Sequence, residues 1–486
     1  MEHLSNTNDI LFSLLGLAPL VLGAGIVLFC LRDRERAVSL LYSVSPKTYN
    51  VAVITTVIVM TGLCAVIRFK VDPFGDSDRY LVRALNIVRH GVFGYGTAPT
   101  AWYPPGYSFL LLPSVGVLGN TRWAYFITNI ALLVGVSVGT RVLLRKLGVP
   151  PRPADLVALI VLIYPNRLFS TLLPGSDTPF SLAYLCAFLF MTLSIVNPGR
   201  WRYAVLTGVC AGIASLIRAN GLPLIIPLGV GILSSSKTPW PVRTRNAGLM
   251  AVCALLVLIP WTVRNALLTG RIAPVSNNFG VNLSIGNNPS RAVTYNSYID
   301  SVWGNPEEWR EVGGEYWNEA QRDSFFARLG SEYIRGHPTE FVVLGCRKVA
   351  HTMASDASAF GMLETCTNLR TLVFSVLPGF PPGSPIPGLA YAFYSLWYRC
   401  IFILNNAAYY AGLVLLVLTL FRHRRRLSAP EVAYLCAFGI ACALVFVLFG
   451  ISRYKEPIPL LTLVLLCFAV FPPRFPTEKT HDGRHA

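Results

Sequence analysis

Long apolar runs separated by short polar connectors set the pattern of the chain. The runs lie at 10–31, 50–67, 123–144, 154–173, 178–196, 203–217, 221–233, 246–263, 389–421, 430–450 and 457–471. Most approach the roughly 20 residues that a helix needs to cross a bilayer; the shorter ones must tilt, pack centrally or combine. The pattern predicts an all-α polytopic membrane protein with about 11 crossings. The stretch 107–119 is expected as a re-entrant or interfacial hairpin. Two polar segments show helical spacing. In 78–90, Leu81, Leu85 and Val88 share a face while Arg79, Arg83, Asn86 and His90 lie towards others. That spacing predicts a helix along the membrane surface with its leucines in lipid. In 315–335, Trp317, Phe325 and Leu329 mark an amphipathic helix. By contrast, 274–290 (PVSNNFGVNLSIGNNPS) reads as turns and short extended pieces, and 377–388 as proline-rich loop.

Composition agrees. Of 486 residues, 53% are hydrophobic and 13% charged, with a mean hydropathy of +0.52. A soluble enzyme carries about a quarter charged residues, so that class is excluded. The net charge of +17 falls largely in connectors: LRDRER at 31–36, RKLGVPPR at 145–152, NPGRWR at 197–202, KTPWPVRTR at 237–245, RHRRR at 422–426 and the tail. This distribution points to the positive-inside rule, not to nucleic acid, and assigns those six segments to the cytoplasm. Segments 68–122, 174–177, 218–221, 264–388 and 452–457 then lie outside. The expected organisation is a transmembrane module 1–263, an external α/β or irregular domain 264–388, helices 389–472 and a tail 473–486. MEHLSNTND has no basic n-region, so the first run reads as a retained helix. The cysteines sit mostly in apolar runs without metal-ligand spacing. Cys346 and Cys366 pair only if their segment faces an oxidising space.

Candidate chemistry falls on the outer connectors. Asp76 precedes the helix 78–90 and either caps it or acts on a substrate at the membrane surface; the two roles are compatible. Asp177 in LLPGSDTPF has the same pair of readings at the start of a later span. Arg79, Arg218 in RANGLP, Arg264 in PWTVRN, and Arg453 and Lys455 in SRYKEP supply cations on the same side. An arginine fork suits a phosphate; interfacial snorkelling is the alternative for each.

DSDRYLVRALNIVRHGVF followed by WYPPGY resembles the first external loop of the GT-C polyprenyl-phosphate-dependent glycosyltransferases. The similarity is to the family 39 branch of protein O-mannosyltransferases and lipid A aminoarabinose transferases. It continues through PNRLFST at 165–171, RANGLP at 218–223, PWTVRN at 260–265, NFGVNLSIGNNP at 278–289 and RYKEPIPL at 453–460. The resemblance implies a GT-C fold and inverting transfer of a sugar from a polyprenyl-phosphate donor to an envelope glycan, lipid or protein on the outer face. It implies Asp76 and Asp177 as the catalytic carboxylates, with Asp76 the general base. Arg79, Arg218, Arg264, Arg453 and Lys455 would bind the donor phosphate, and Asp78, Tyr80, His90, Tyr103 and Tyr107 would line the cavity. Asp76 and Asp177 are also the candidates for holding a divalent metal ion, a question left open. Where many relatives have Asp-Glu this chain has Asp76-Ser77, with Asp78 as a substitute; Tyr103-Pro104 stands where the lipid A enzymes place lysine before proline. A lipid-linked oligosaccharide ligase and a non-catalytic flippase are the competing functions.

Overall fold

A computed structural model describes residues 19–67, 77–294, 318–354, 356, 388–422, 427–450, 452–455 and 457–473. In order the helices are α1 (Pro19–Arg32), α2 (Arg34–Leu40), α3 (Pro46–Val66), α4 (Ser77–His90), α5 (Gly106–Leu118), α6 (Arg122–Lys146), α7 (Pro151–Ile163), α8 (Pro165–Ser170) and α9 (Asp177–Val196). They continue as α10 (Arg202–Ile217), α11 (Ile225–Leu233), α12 (Trp240–Thr269), α13 (Phe279–Gly286), α14 (Glu319–Gly336), α15 (Pro338–Met353), α16 (Gly388–Arg422), α17 (Ala429–Val447) and α18 (Ile458–Val470). Among the described residues the strands are β1 (Gly94–Tyr95) and β2 (Ala98–Pro99), an antiparallel hairpin in the first loop. Of the described helices, α3, α6, α9, α12 and α17 are long and apolar enough to cross a membrane.

Helix boundaries follow local chemistry. Ser45 caps α3 by accepting from the Thr48 amide, with Pro46 at the first position, and Ser428 forms a capping box with Glu431 at α17. The expected span 154–173 is instead broken: Tyr164 leaves the helix because Pro165 cannot donate its amide, and α8 then runs for one and a half turns. The run 221–233 shortens to the nine residues of α11, behind a 3-10 turn at Ala219–Gly221. Close packing joins α10 to α12, where a Cβ at Gly208 would collide with the Met250 carbonyl and one at Gly212 would come within 2.7 Å of Val257. Small residues bring spanning helices together in this way.

Further expectations change in detail. The segment 274–290 contains α13, not only turns, because Asp323 on α14 accepts from the Gly280 and Val281 amides at 2.6 and 3.2 Å and so caps α13 from outside. Among the described residues of 264–388 the regular elements are helices, and 295–317, 355 and 357–387 lie outside the described residues. The helix at 78–90 forms; of its expected lipid face Leu81 is buried against protein while Val88 is 48% exposed, and Arg83 is only 1% exposed. Its guanidinium lies over the Tyr103 ring at 4.0 Å and the Tyr95 ring at 4.8 Å, and donates to the Tyr95 hydroxyl. Aromatic faces offset the cost of burying that cation. The predicted helix at 315–335 appears as α14, while the proposed Cys346–Cys366 pair involves Cys366, outside the described residues.

Three of the basic connectors, 145–152, 197–202 and 237–245, meet at one end of the bundle. Arg245 donates to the Pro198 carbonyl, Asn246 approaches Ser194, and Tyr203 feels the charge of Lys146. At that end Arg141 and Arg145 both bind the buried Asp155 at 2.6 Å. The 20 residues of α9 carry its first residue, Asp177, about 30 Å away to the other end.

Candidate active site

Three helix termini build this other end. Asp177 opens α9 but does not cap it; Ser176 is the capping position and makes no side-chain cap bond. The Asp177 carboxylate instead accepts from Arg218 Nη1 and from Arg453 Nε, the latter at 2.8 Å, on the same oxygen. Arg218 is where α10 ends: its backbone is extended, and the chain turns through Ala219–Gly221 towards Pro223. Arg453 sits in the 3-10 turn Ser452–Lys455 between α17 and α18. The three side chains are only 10%, 14% and 11% exposed for Asp177, Arg218 and Arg453. A carboxylate joined to two guanidiniums fixes both forks in place.

Beside this trio lies a second carboxylate. Asp356 is fully buried, accepting from the Tyr164 hydroxyl and from Asn166 Nδ2 at 3.2 Å. Its backbone amide donates to Asn406 of α16 at 2.8 Å. Lys455, also fully buried, holds its ammonium 4.0 Å from the Tyr409 ring and feels the Asp356 charge. Arg167, 1% exposed on α8, feels Asp356, Asp177 and Arg218 and so links the two groups. Among the described residues this end therefore concentrates four cations around two carboxylates. Asp356, Arg167, Tyr164 and Asn166 were not singled out from the sequence. Arg167 gave the available signal, an arginine inside an apolar run; Asp356 in HTMASD gave none.

The first loop reaches the same end through tyrosines. Arg79 donates to the Tyr103 hydroxyl at 2.6 Å, Tyr80 meets the Tyr103 and Tyr107 rings edge-on at 6.1 and 5.5 Å, and Tyr107 senses Asp177. Gly106 seals this junction: a Cβ there would come 2.7 Å from the Ile217 amide, next to Arg218. Asp76 and the side chain of Asp78 lie outside the described residues; α4 begins at Ser77, two residues before Arg79. His90 is exposed in the last turn of α4, about 20 Å of helix from Ser77.

Arg264 sits in a different place from the trio. It donates to the Thr100 and Phe93 carbonyls at 2.5 and 3.2 Å and stacks on Trp261 at 4.5 Å. Glu319, the first residue of α14, completes this brace by accepting from the Thr100 hydroxyl and from the Ala101 amide at 2.5 Å. Glu319→Ala is expected to raise backbone amide exchange at 100–103 and to lower the melting temperature by a few degrees, with the α9–α10–α12 core unchanged; exchange mass spectrometry checks this.

Arg218 and Arg453 both take Asp177 Oδ1, and Asp76, its expected partner for a divalent metal ion, lies outside the described residues. Among the described residues no cluster of three or more His, Cys, Asp or Glu side chains forms a metal site.

No family model matches the chain, and no curated protein matches it by sequence. Solved structures of similar fold are found. An oligosaccharyltransferase AglB from Archaeoglobus fulgidus, in complex with an inhibitory peptide and a dolichol-phosphate, is 14% identical with a TM-score of 0.43; the similarity covers 87% of this chain and 50% of that one. ArnT from Cupriavidus metallidurans, bound to undecaprenyl phosphate, is 16% identical with a TM-score of 0.41, covering 88% and 78%. The chain thus spans about half the length of the archaeal oligosaccharyltransferase.

Proposed function

We propose that this chain is an integral-membrane glycosyltransferase that moves a sugar from a polyprenyl-phosphate donor to an envelope acceptor at the bundle end bearing Asp177. The observation that carries the reading is the pair of guanidiniums, Arg218 and Arg453, held on one carboxylate where three helices terminate. The donor's lipid tail keeps its phosphate at the membrane surface, and the forks meet it there. Asp76 takes the proton of the acceptor hydroxyl as that oxygen attacks the anomeric carbon. The bond from the anomeric carbon to the phosphate oxygen breaks on the opposite face, its electrons leave with the phosphate, and the configuration inverts. Arg79, Arg218, Arg453 and Lys455 stabilise the charge that develops on the leaving phosphate. Asp177 is a positioning residue for the two forks. Arg264 braces the first loop, and segment 264–388 selects the acceptor.

The test is transfer by purified protein in lipid vesicles. A radiolabelled polyprenyl-phosphate monosaccharide is expected to label an envelope fraction, and Arg218→Gln or Arg453→Gln to remove that labelling. Labelling only from a lipid pyrophosphate would replace this reading with the ligase.

A pH dependence follows from Lys455. Burial pushes its ammonium down to about 8, with Asp356 opposing the shift. Below that pH the charge that meets the phosphate is present; as pH rises through about 8 it is lost. Donor KM is therefore expected to rise across this window in the wild type and to stay flat in Lys455→Met.

A further inference from the structure

Lys348 on α15 is fully buried, and among the described residues its ammonium donates to neutral oxygens: Asn287 Oδ1 at 3.2 Å and the Phe446 carbonyl at 3.4 Å. Burial pushes it down to about 8, which leaves it charged at neutral pH. A lysine in such a place is costly unless it serves a neighbour. Its neighbour is the end of α17. Phe446 and Val447 present carbonyls without helical partners there. Asn287 Nδ2 donates to Val447 O at 2.7 Å while its own Oδ1 accepts from Lys348. A cation suits this negative helix end. The outgoing chain is held as well: Gly450 donates to the Val293 carbonyl at 2.7 Å, and a Cβ on Gly450 would lie 3.0 Å from the Lys348 Cα. Tyr454 packs on Phe449 at 5.4 Å and with Leu283 and Leu448. Arg453 follows this clasped segment in the chain.

We infer that Lys348, with Asn287, is a positioning residue: it clasps the C-terminus of α17 so that the external helices hold Arg453 in register with Asp177. The inference rests on the proposed phosphate role of Arg453 and adds that the external segment sets it from a distance. Lys348 acts on Arg453 from a distance, through the end of α17 and through the packing of α15 on Ser452–Lys455, where Val349 joins the cluster around Tyr454.

The experiment measures binding of a polyprenyl phosphate to the full chain in vesicles, donor KM and kcat, and amide exchange. Lys348→Met is expected to weaken donor binding and raise donor KM by about tenfold. At saturating donor, kcat stays within about twofold, because the forks still engage once the lipid is bound. Exchange rises at 448–455 and not across α9 and α10. Asn287→Ala removes the same clasp from its other half and is expected to give the same pattern, which keeps the test decisive if Lys348→Met does not fold. Unchanged donor affinity, or an exchange increase spread evenly over the chain, overturns the inference. Arg453→Gln separates the two ideas: if it leaves affinity unchanged, the phosphate site itself is wrong, whereas a loss there with none in Lys348→Met and Asn287→Ala removes only the clasp.

Discussion

Asp177→Asn is expected to cost both fold stability and transfer. The substitution leaves Arg218 and Arg453, each close to nine-tenths buried, facing a neutral amide. Breaking a buried ion pair from one side is worth about 3–5 kcal/mol, because the remaining charge keeps its desolvation cost. The two forks also lose the contact that holds them together, and transfer is expected to fall by at least about 100-fold, the scale for removing one preorganised electrostatic group. Thermal unfolding in vesicles and the transfer assay read the two effects. Combining Asp177→Asn with Arg218→Gln should cost less stability than the sum of the single changes, since they act on one network. Additive losses would show that Asp177 does not work through Arg218.

Asp76→Asn is expected to leave stability nearly unchanged and to cost activity as Asp177→Asn does. Removing a general base costs about 10²–10⁴-fold in rate, while an asparagine can still accept backbone bonds at the start of α4, so the melting temperature should stay within about a degree or two. The pair of variants thus separates a residue that reacts from one that positions. If Asp76→Asn keeps turnover, proton removal belongs to another group; if it unfolds the protein, capping was its work.

Much of the architecture could be read from periodicity, because a spanning helix writes its apolar run directly into the chain. The surface helices were equally plain: 78–90 and 315–335 match α4 and α14 closely. Alternation of the spans put Asp177, Arg218 and Arg453 at one end of the bundle, but their meeting on a single carboxylate oxygen was not legible in it. What stayed hidden depends on partners far away in sequence. The helix α13 has its amides capped by Asp323, so its own residues look like turns. Arg83 is buried because Tyr95 and Tyr103 fold over it, and helical spacing does not record rings from another segment. Arg264 looked like the other outer cations, but carbonyls of the first loop take up its donors. Asp356 became visible only when Tyr164, Asn166 and Lys455 surrounded it.

The most direct test is an electron cryo-microscopy map of the protein in a lipid nanodisc with a polyprenyl phosphate. The account expects phosphate density within hydrogen-bond reach, about 3 Å, of the Arg218 and Arg453 guanidiniums. It also expects the Asp76 carboxyl to open onto the same space. A phosphate seated at the Asp155 end, or one contacting neither fork, would contradict it.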